Sequence, residues 1–78
     1  MGSATAMKVV DCKGMSCPRP VLQTKKGLDT IASGQCLQVI ATDAGAKKDI
    51  PALVSRLGHS ITDVSENGGT ITFTIEKK

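Results

Sequence analysis

Of the side chains here able to act as nucleophiles, acids or metal ligands, Cys17 has the most unusual neighbours. It stands directly before Pro18, Arg19 and Pro20 in the stretch GMSCPRPV. Proline lacks a backbone N–H and is tolerated in a helix only near its start. A residue ahead of proline is pushed toward the extended geometry that an N-cap requires. The sequence therefore predicts Cys17 as the N-cap of a helix whose first three positions are Pro18, Arg19 and Pro20. The two prolines remove two N–H donors from that end, which leaves the Arg19 N–H as the nearest helical donor to the Cys17 sulfur. They also stiffen the first turn and fix where the sulfur points.

Helix N-termini and nearby cations lower a thiol pKa from about 8.5 into roughly the 3.5–7.5 range. With two donors missing, a moderate lowering is expected here, aided by Lys13 or Arg19. A moderate value suits group transfer. The best attacking thiol has a pKa near ambient pH, whereas a lower pKa makes a better leaving group. The plainer alternative is that Cys17 is a small cap residue at the core edge, although packing alone would not require two flanking prolines.

The other candidates divide in the same way. Cys12, five residues earlier, is either a resolving thiol that forms a disulfide with Cys17 or a small buried residue at a strand end. Cys36 opens a strand and reads as structural. Cys12, Cys17, Cys36 and His59 lack the paired spacing of a metal site, so no metal is expected. His59, beyond Gly58, reads as a cation at a helix C-terminus. Asp43 and Asp49 read as helix caps, with a role in orienting a partner as the alternative. On the first helix, Arg19, Leu22, Gln23 and Lys26 lie away from its apolar stripe. Leu22 is either an ordinary exposed apolar residue or a partner anchor, with Arg19 and Lys26 steering toward an acidic surface.

The elements that must position these residues follow from periodicity. Lys8–Cys12 (KVVDC) reads as a strand, and a helix runs from Pro18 to about Ala32 with Val21, Thr24, Leu28 and Ile31 on one stripe. Ser33 and Gly34 end it. Leu37–Thr42 (LQVIAT) is a second strand. Ala46, Ile50, Leu53, Val54 and Leu57 mark a second helix. Pro51 favours a loose first turn over Ala44–Lys48, a regular helix from Asp49 as N-cap, and a stop at Gly58. Strands Ser60–Glu66 and Thr70–Glu76 flank Asn67-Gly68-Gly69, a strong hairpin signal. In the last strand Ile71, Phe73 and Ile75 alternate with threonines, giving one buried and one wet face. The order βαβαββ with a half-wet sheet implies an α+β, two-layer sandwich: a four-stranded mixed sheet with two helices on one face. The first two strands are expected to be parallel through a right-handed crossover.

The chain has 78 residues, 40% of them apolar, and a formal net charge of +3. That length suits one domain and leaves little room for a deep pocket. A site at an element terminus is the expectation. The mild positive charge suits an acidic protein surface. With one Phe and no Tyr or Trp, stacking on nucleic acid is not expected. No apolar run approaches the roughly 20 residues of a membrane span, so no membrane role is expected. Residues 1–6 (MGSATA) read as a leader or the remnant of an added sequence, with residues 7–78 as the single domain. Three irregularly spaced cysteines point to free thiols in a reducing, cytoplasmic setting.

Cys17-Pro18-Arg19-Pro20 resembles the Cys-Pro-x-Pro motif of TusA-like (SirA-like) sulfur-carrier proteins. The likeness extends over nearly the whole chain from Val9 onward. DCKGMSCPRPVLQTKK looks like that family's first strand, loop and helix, and ATDAGAKKDIPALVSRLGH like its second helix with the preceding Asp. The resemblance implies two helices on a four-stranded mixed sheet and a sulfurtransferase relay without a cofactor. Cys17 would accept a sulfane sulfur as a persulfide. A cysteine desulfurase or rhodanese-like protein would donate it, and a further relay protein would accept it. A thiol–disulfide redox protein using Cys12 and Cys17, and a non-catalytic interaction or regulatory module, are the rival readings.

Overall fold

A computed structural model describes residues 8–16 and 19–78. The expectations for Cys17, for Pro18 and for the leader at 1–6 fall outside the described residues. The order is β1 (Lys8–Cys12), α1 (Arg19–Asp29), β2 (Cys36–Ala41), α2 (Ala46–Arg56), β3 (Ser60–Asn67) and β4 (Thr70–Glu76). The strands form one sheet in the order β1-β2-β4-β3. β1 and β2 run parallel, and the other neighbours run antiparallel. This is the α+β mixed-sheet sandwich that the sequence implies.

Strand alternation decides which face is covered. Leu37, Val39 and Ala41 of β2 and Ile71, Phe73 and Ile75 of β4 all point inward and are buried. Leu28 of α1 and Ile50 and Val54 of α2 close the core from above. Each such fully buried aliphatic or aromatic side chain contributes about 1.5–3 kcal/mol. Gly27 lets α1 descend onto the sheet: a Cβ there would lie 2.8 Å from Val10 Cγ2 and 3.1 Å from a Leu37 methyl. The hairpin closes through Gly68 (φ 59) and Gly69 (φ 87), the paired left-handed residues of a two-residue type I′ turn. A register shift between Ile61 and Asp63 marks a bulge in edge strand β3.

The boundaries differ from the sequence reading in instructive places. α1 ends at Asp29 rather than near Ala32, and the chain tightens through Thr30 N–H to Gly27 O and Ile31 N–H to Leu28 O. The Lys77 amine then donates to the carbonyls of Leu28 and Ile31 at 2.7 and 2.8 Å. α2 begins at Ala46 with Gly45 as N-cap, so Asp49 is a first-turn residue and not the cap. The helix carries Pro51 inside it, at the expense of the N–H that Lys47 O would otherwise accept. At the far end, Gly58 N–H donates to Ser55 O and His59 N–H to Val54 O, the paired bonds of a Schellman stop around Gly58 at φ 84. At this helix end His59 Nδ1 accepts the Lys78 N–H at 3.0 Å.

Candidate functional site

The parallel pairing of β1 and β2 brings both following loops to one end of the sheet. Cys12 pairs with Ala41, and Ala41 with Ile71. The 13–16 loop, the 42–45 loop and the 68–69 turn therefore gather together, with the N-termini of both helices. In the sequence Cys17 follows the last residue of the first of these loops.

Short polar contacts hold the chain on both sides of positions 17 and 18. Lys13 N–H donates to Asp11 Oδ1 at 3.0 Å, and Met15 N–H to Cys12 O at 3.1 Å. Gly14, at φ 80, gives its N–H to Thr42 Oγ1 at 3.0 Å. That bond joins the two loops across 28 residues of sequence. Beyond positions 17 and 18, Arg19 N–H donates to Ser16 O at 2.9 Å. The Arg19 donor expected for the Cys17 sulfur is thus committed to the Ser16 carbonyl, which accepts the first bond of this helix end.

Pro20 faces the core, and its carbonyl accepts the Thr24 hydroxyl at 2.7 Å. Thr24 is fully buried yet satisfied through this bond. On the opposite side, Arg19, Leu22 and Lys26 face solvent, Leu22 with 52% of its surface exposed. These three are exposed, as their spacing predicts, while Gln23 is half-buried.

Cys12 points into the core with 0% of its surface exposed. Burial, and secondarily the Asp11 charge, push its thiol pKa above the ordinary value of 9.0. A thiol held protonated and covered by side chains is a poor resolving nucleophile. Cys36 is half-buried and free. Among the described residues, no group of three or more His, Cys, Asp or Glu side chains could hold a metal ion.

Asp49 lies in the first turn of α2 and is not its N-cap, and Asp43 takes part through its backbone carbonyl. The Asp43 carbonyl accepts the Ala46 N–H at 3.0 Å, and N-cap Gly45 has no side-chain cap bond. Both carboxylates lie beside Gly45. A Cβ there would stand 3.2 Å from Asp43 Oδ2 and 3.7 Å from Asp49 Oδ2, so glycine admits two anions to a helix start that favours them. Lys47 Nζ meets Glu66 Oε1 at 2.7 Å, tying α2 to the end of β3. Sequence reasoning missed Thr42, whose side chain carries no periodic or motif signal and whose role exists only once the two loops are adjacent. It also missed the Ser16 carbonyl, since a backbone acceptor leaves no mark in residue type.

Comparison with known proteins bears on the whole arrangement. The family model described as sulfurtransferase TusA matches residues 8–77. The sulfur carrier protein TusA of Allochromatium vinosum is 43% identical over 68 residues, which cover 87% of this chain and 90% of that protein. The sulfur carrier protein TusA of Pseudomonas putida is 37% identical over 78 residues, covering 100% and 98%. The crystal structure of a SirA-like protein from Desulfitobacterium hafniense superposes with a TM-score of 0.77 over 90% of this chain and 95% of that one. At 22% identity, that likeness establishes the fold.

Proposed function

This chain belongs to the sulfurtransferase TusA family and is a sulfur carrier, and from that premise we propose that Cys17 is the atom-bearing site of a persulfide relay. The Cys17 thiolate attacks the terminal sulfur of a donor persulfide. A sulfur–sulfur bond forms at Cys17 as the donor's own sulfur–sulfur bond breaks, and the donor cysteine leaves as a thiolate. An acceptor thiolate later attacks the terminal sulfur on Cys17, which leaves as thiolate in its turn. The sulfane sulfur changes owner twice and no outside oxidant or reductant is consumed.

The observation that carries this reading is the sequence Cys17-Pro18-Arg19-Pro20, whose described neighbours Ser16 and Arg19 lie at the end where both loops and both helix starts meet. Arg19, Leu22 and Lys26 form the docking face beside it, suited to a partner with an acidic surface. The partners are a cysteine desulfurase or rhodanese-like donor and a relay protein as acceptor. The working unit is residues 7–78, acting as a sulfurtransferase in the cytoplasm. Among the described residues, no helix is long and apolar enough to cross a membrane. The buried, protonated Cys12 thiol speaks against the redox alternative.

The test is exposure to a cysteine desulfurase with cysteine, followed by intact mass under non-reducing conditions. Gain of one sulfur, abolished in Cys17→Ser and kept in Cys12→Ala, is the expected result. Loss of two hydrogens with no sulfur gained points to a disulfide and overturns the relay. Leu22→Ala and Lys26→Glu are expected to slow loading from the donor; unchanged rates would remove this face as the docking site.

A further inference from the structure

The two faces of the sandwich carry opposite charge. The helix side exposes Arg19, Lys25, Lys26, Lys47, Lys48 and Arg56, against Asp29, Asp49 and Glu66, the last opposite buried Ile71. Lys25 pairs with Asp29 and Lys47 with Glu66, so the surplus there is positive. The uncovered face of the sheet is set by register. Asp11 pairs with Ile40, Asp63 with Thr74, and Glu76 with Cys36, all at positions alternate to the buried ones. That face therefore carries Asp63, Glu76 and Asp11, the last with Lys13 Nζ at 3.9 Å from its carboxylate. Among the described residues, none of its strand positions is Lys or Arg. Val9, 51% exposed, and half-buried Ile40 supply apolar surface between the acids.

The basic face has matching relief. Arg19, Leu22 and Lys26 make a cation–apolar–cation stripe on α1, its charged ends about 10 Å apart along the axis at 1.5 Å per residue. Asp11 and Glu76 lie four residues along and two strands across from each other, roughly 16 Å apart by strand geometry. Two long basic side chains can span that difference. We propose that a second copy of this chain docks its α1 face onto the bare sheet face, with Leu22 set against Val9 and Ile40. The charges also choose the symmetry. Helix face on helix face, or sheet face on sheet face, opposes like charges, whereas helix face on sheet face pairs opposite ones. The contact is therefore heterologous, and copies stack head to tail. Resting on the docking face argued above, a stacked carrier has its Arg19, Leu22 and Lys26 covered and is shielded from donor and acceptor.

Sedimentation velocity of the full chain tests this without any sulfur donor, so it can fail independently of the relay. In low salt the average mass is expected to climb above the 8.1 kDa monomer with concentration and without a plateau. In about 0.5 M sodium chloride, where screening acts within a few ångström, it returns to the monomer. Asp63→Lys with Glu76→Lys, and separately Lys25→Glu with Lys26→Glu, should each weaken association by about tenfold or more, since several exposed charge pairs turn repulsive. An equimolar mixture of the two double variants should restore it, because reversed sheet meets reversed helix. Asp63→Lys alone, on the exposed edge strand, keeps the test intact if the double variant does not fold. A monomer up to about 1 mM at low salt, association indifferent to salt, or a mixture that stays monomeric would each overturn the proposal.

Discussion

The two ends of α1 are held by different means. At its C-terminal end the Lys77 amine bonds two carbonyls. The neighbouring backbone is laced by Gly34 N–H to Lys77 O and Lys77 N–H to Gln35 O. A cation at that end also opposes the helix dipole. At its N-terminal end, among the described residues, Gly14 N–H reaches Thr42 Oγ1, exposed to solvent, and Arg19 N–H reaches Ser16 O. One end is thus closed by a side chain from the end of the chain, 46 to 49 residues away, and the other by a local backbone bond and a bond between two neighbouring loops. The Lys77 anchors lie at the opposite end of α1 from the loop that leads to Cys17.

Variants at α1 break or sharpen that contrast. The largest effect is expected at the middle of the helix, which serves both ends. Gly27→Val drives a side chain into Val10 and Leu37 and should cost about 3 kcal/mol by overpacking, read as a lower urea midpoint. Lys77→Met removes both bonds to the C-terminal carbonyls and should cost about 1–2 kcal/mol, with Cys17 loading per folded molecule unchanged. A fall in loading would show that the two ends are coupled.

Thr42→Val deletes the bond that fastens the 13–16 loop at Gly14 and should cost about 1 kcal/mol or less. Its sulfur loading rate should fall by more than its stability does. Equal rates for this variant and the wild type would show that the loop needs no tether to act.

The smallest effect concerns pH. The Cys12 thiol pKa is raised in the folded chain, so the unfolded chain releases that proton first as pH rises. The contribution is fully present below the ordinary value of 9.0 and is lost as pH climbs from there through the folded value. Unfolding melts at alkaline pH should show a decline that Cys12→Ala lessens. Cys12 should also react far more slowly than Cys17 with an alkylating reagent at neutral pH.

Much of this was legible in the sequence because it is local. The alternation of Ile71, Phe73 and Ile75 with threonines fixed the inner and outer faces of β4. Asn67-Gly68-Gly69 fixed the hairpin, and the stripe through Thr24 and Leu28 fixed the buried side of α1. Pro51 misled the reading of α2. A proline is a penalty that burial of Ala46, Ile50, Leu53 and Val54 outweighs, and local rules cannot weigh packing. The His59 contact was invisible for a related reason, since the Lys78 N–H that it accepts arrives from 19 residues away.

By itself the sequence determined the elements, their order and the cysteine set before two prolines, since each depends on neighbours along the chain. Tertiary structure alone decided that Thr42 tethers the 13–16 loop, that Lys77 closes α1, that Cys12 is sealed in the core, and that the uncovered sheet face, among the described residues, carries acids and no Lys or Arg. Those facts depend on which surfaces meet, and that is set by sheet register and by the burial of apolar area across the whole fold.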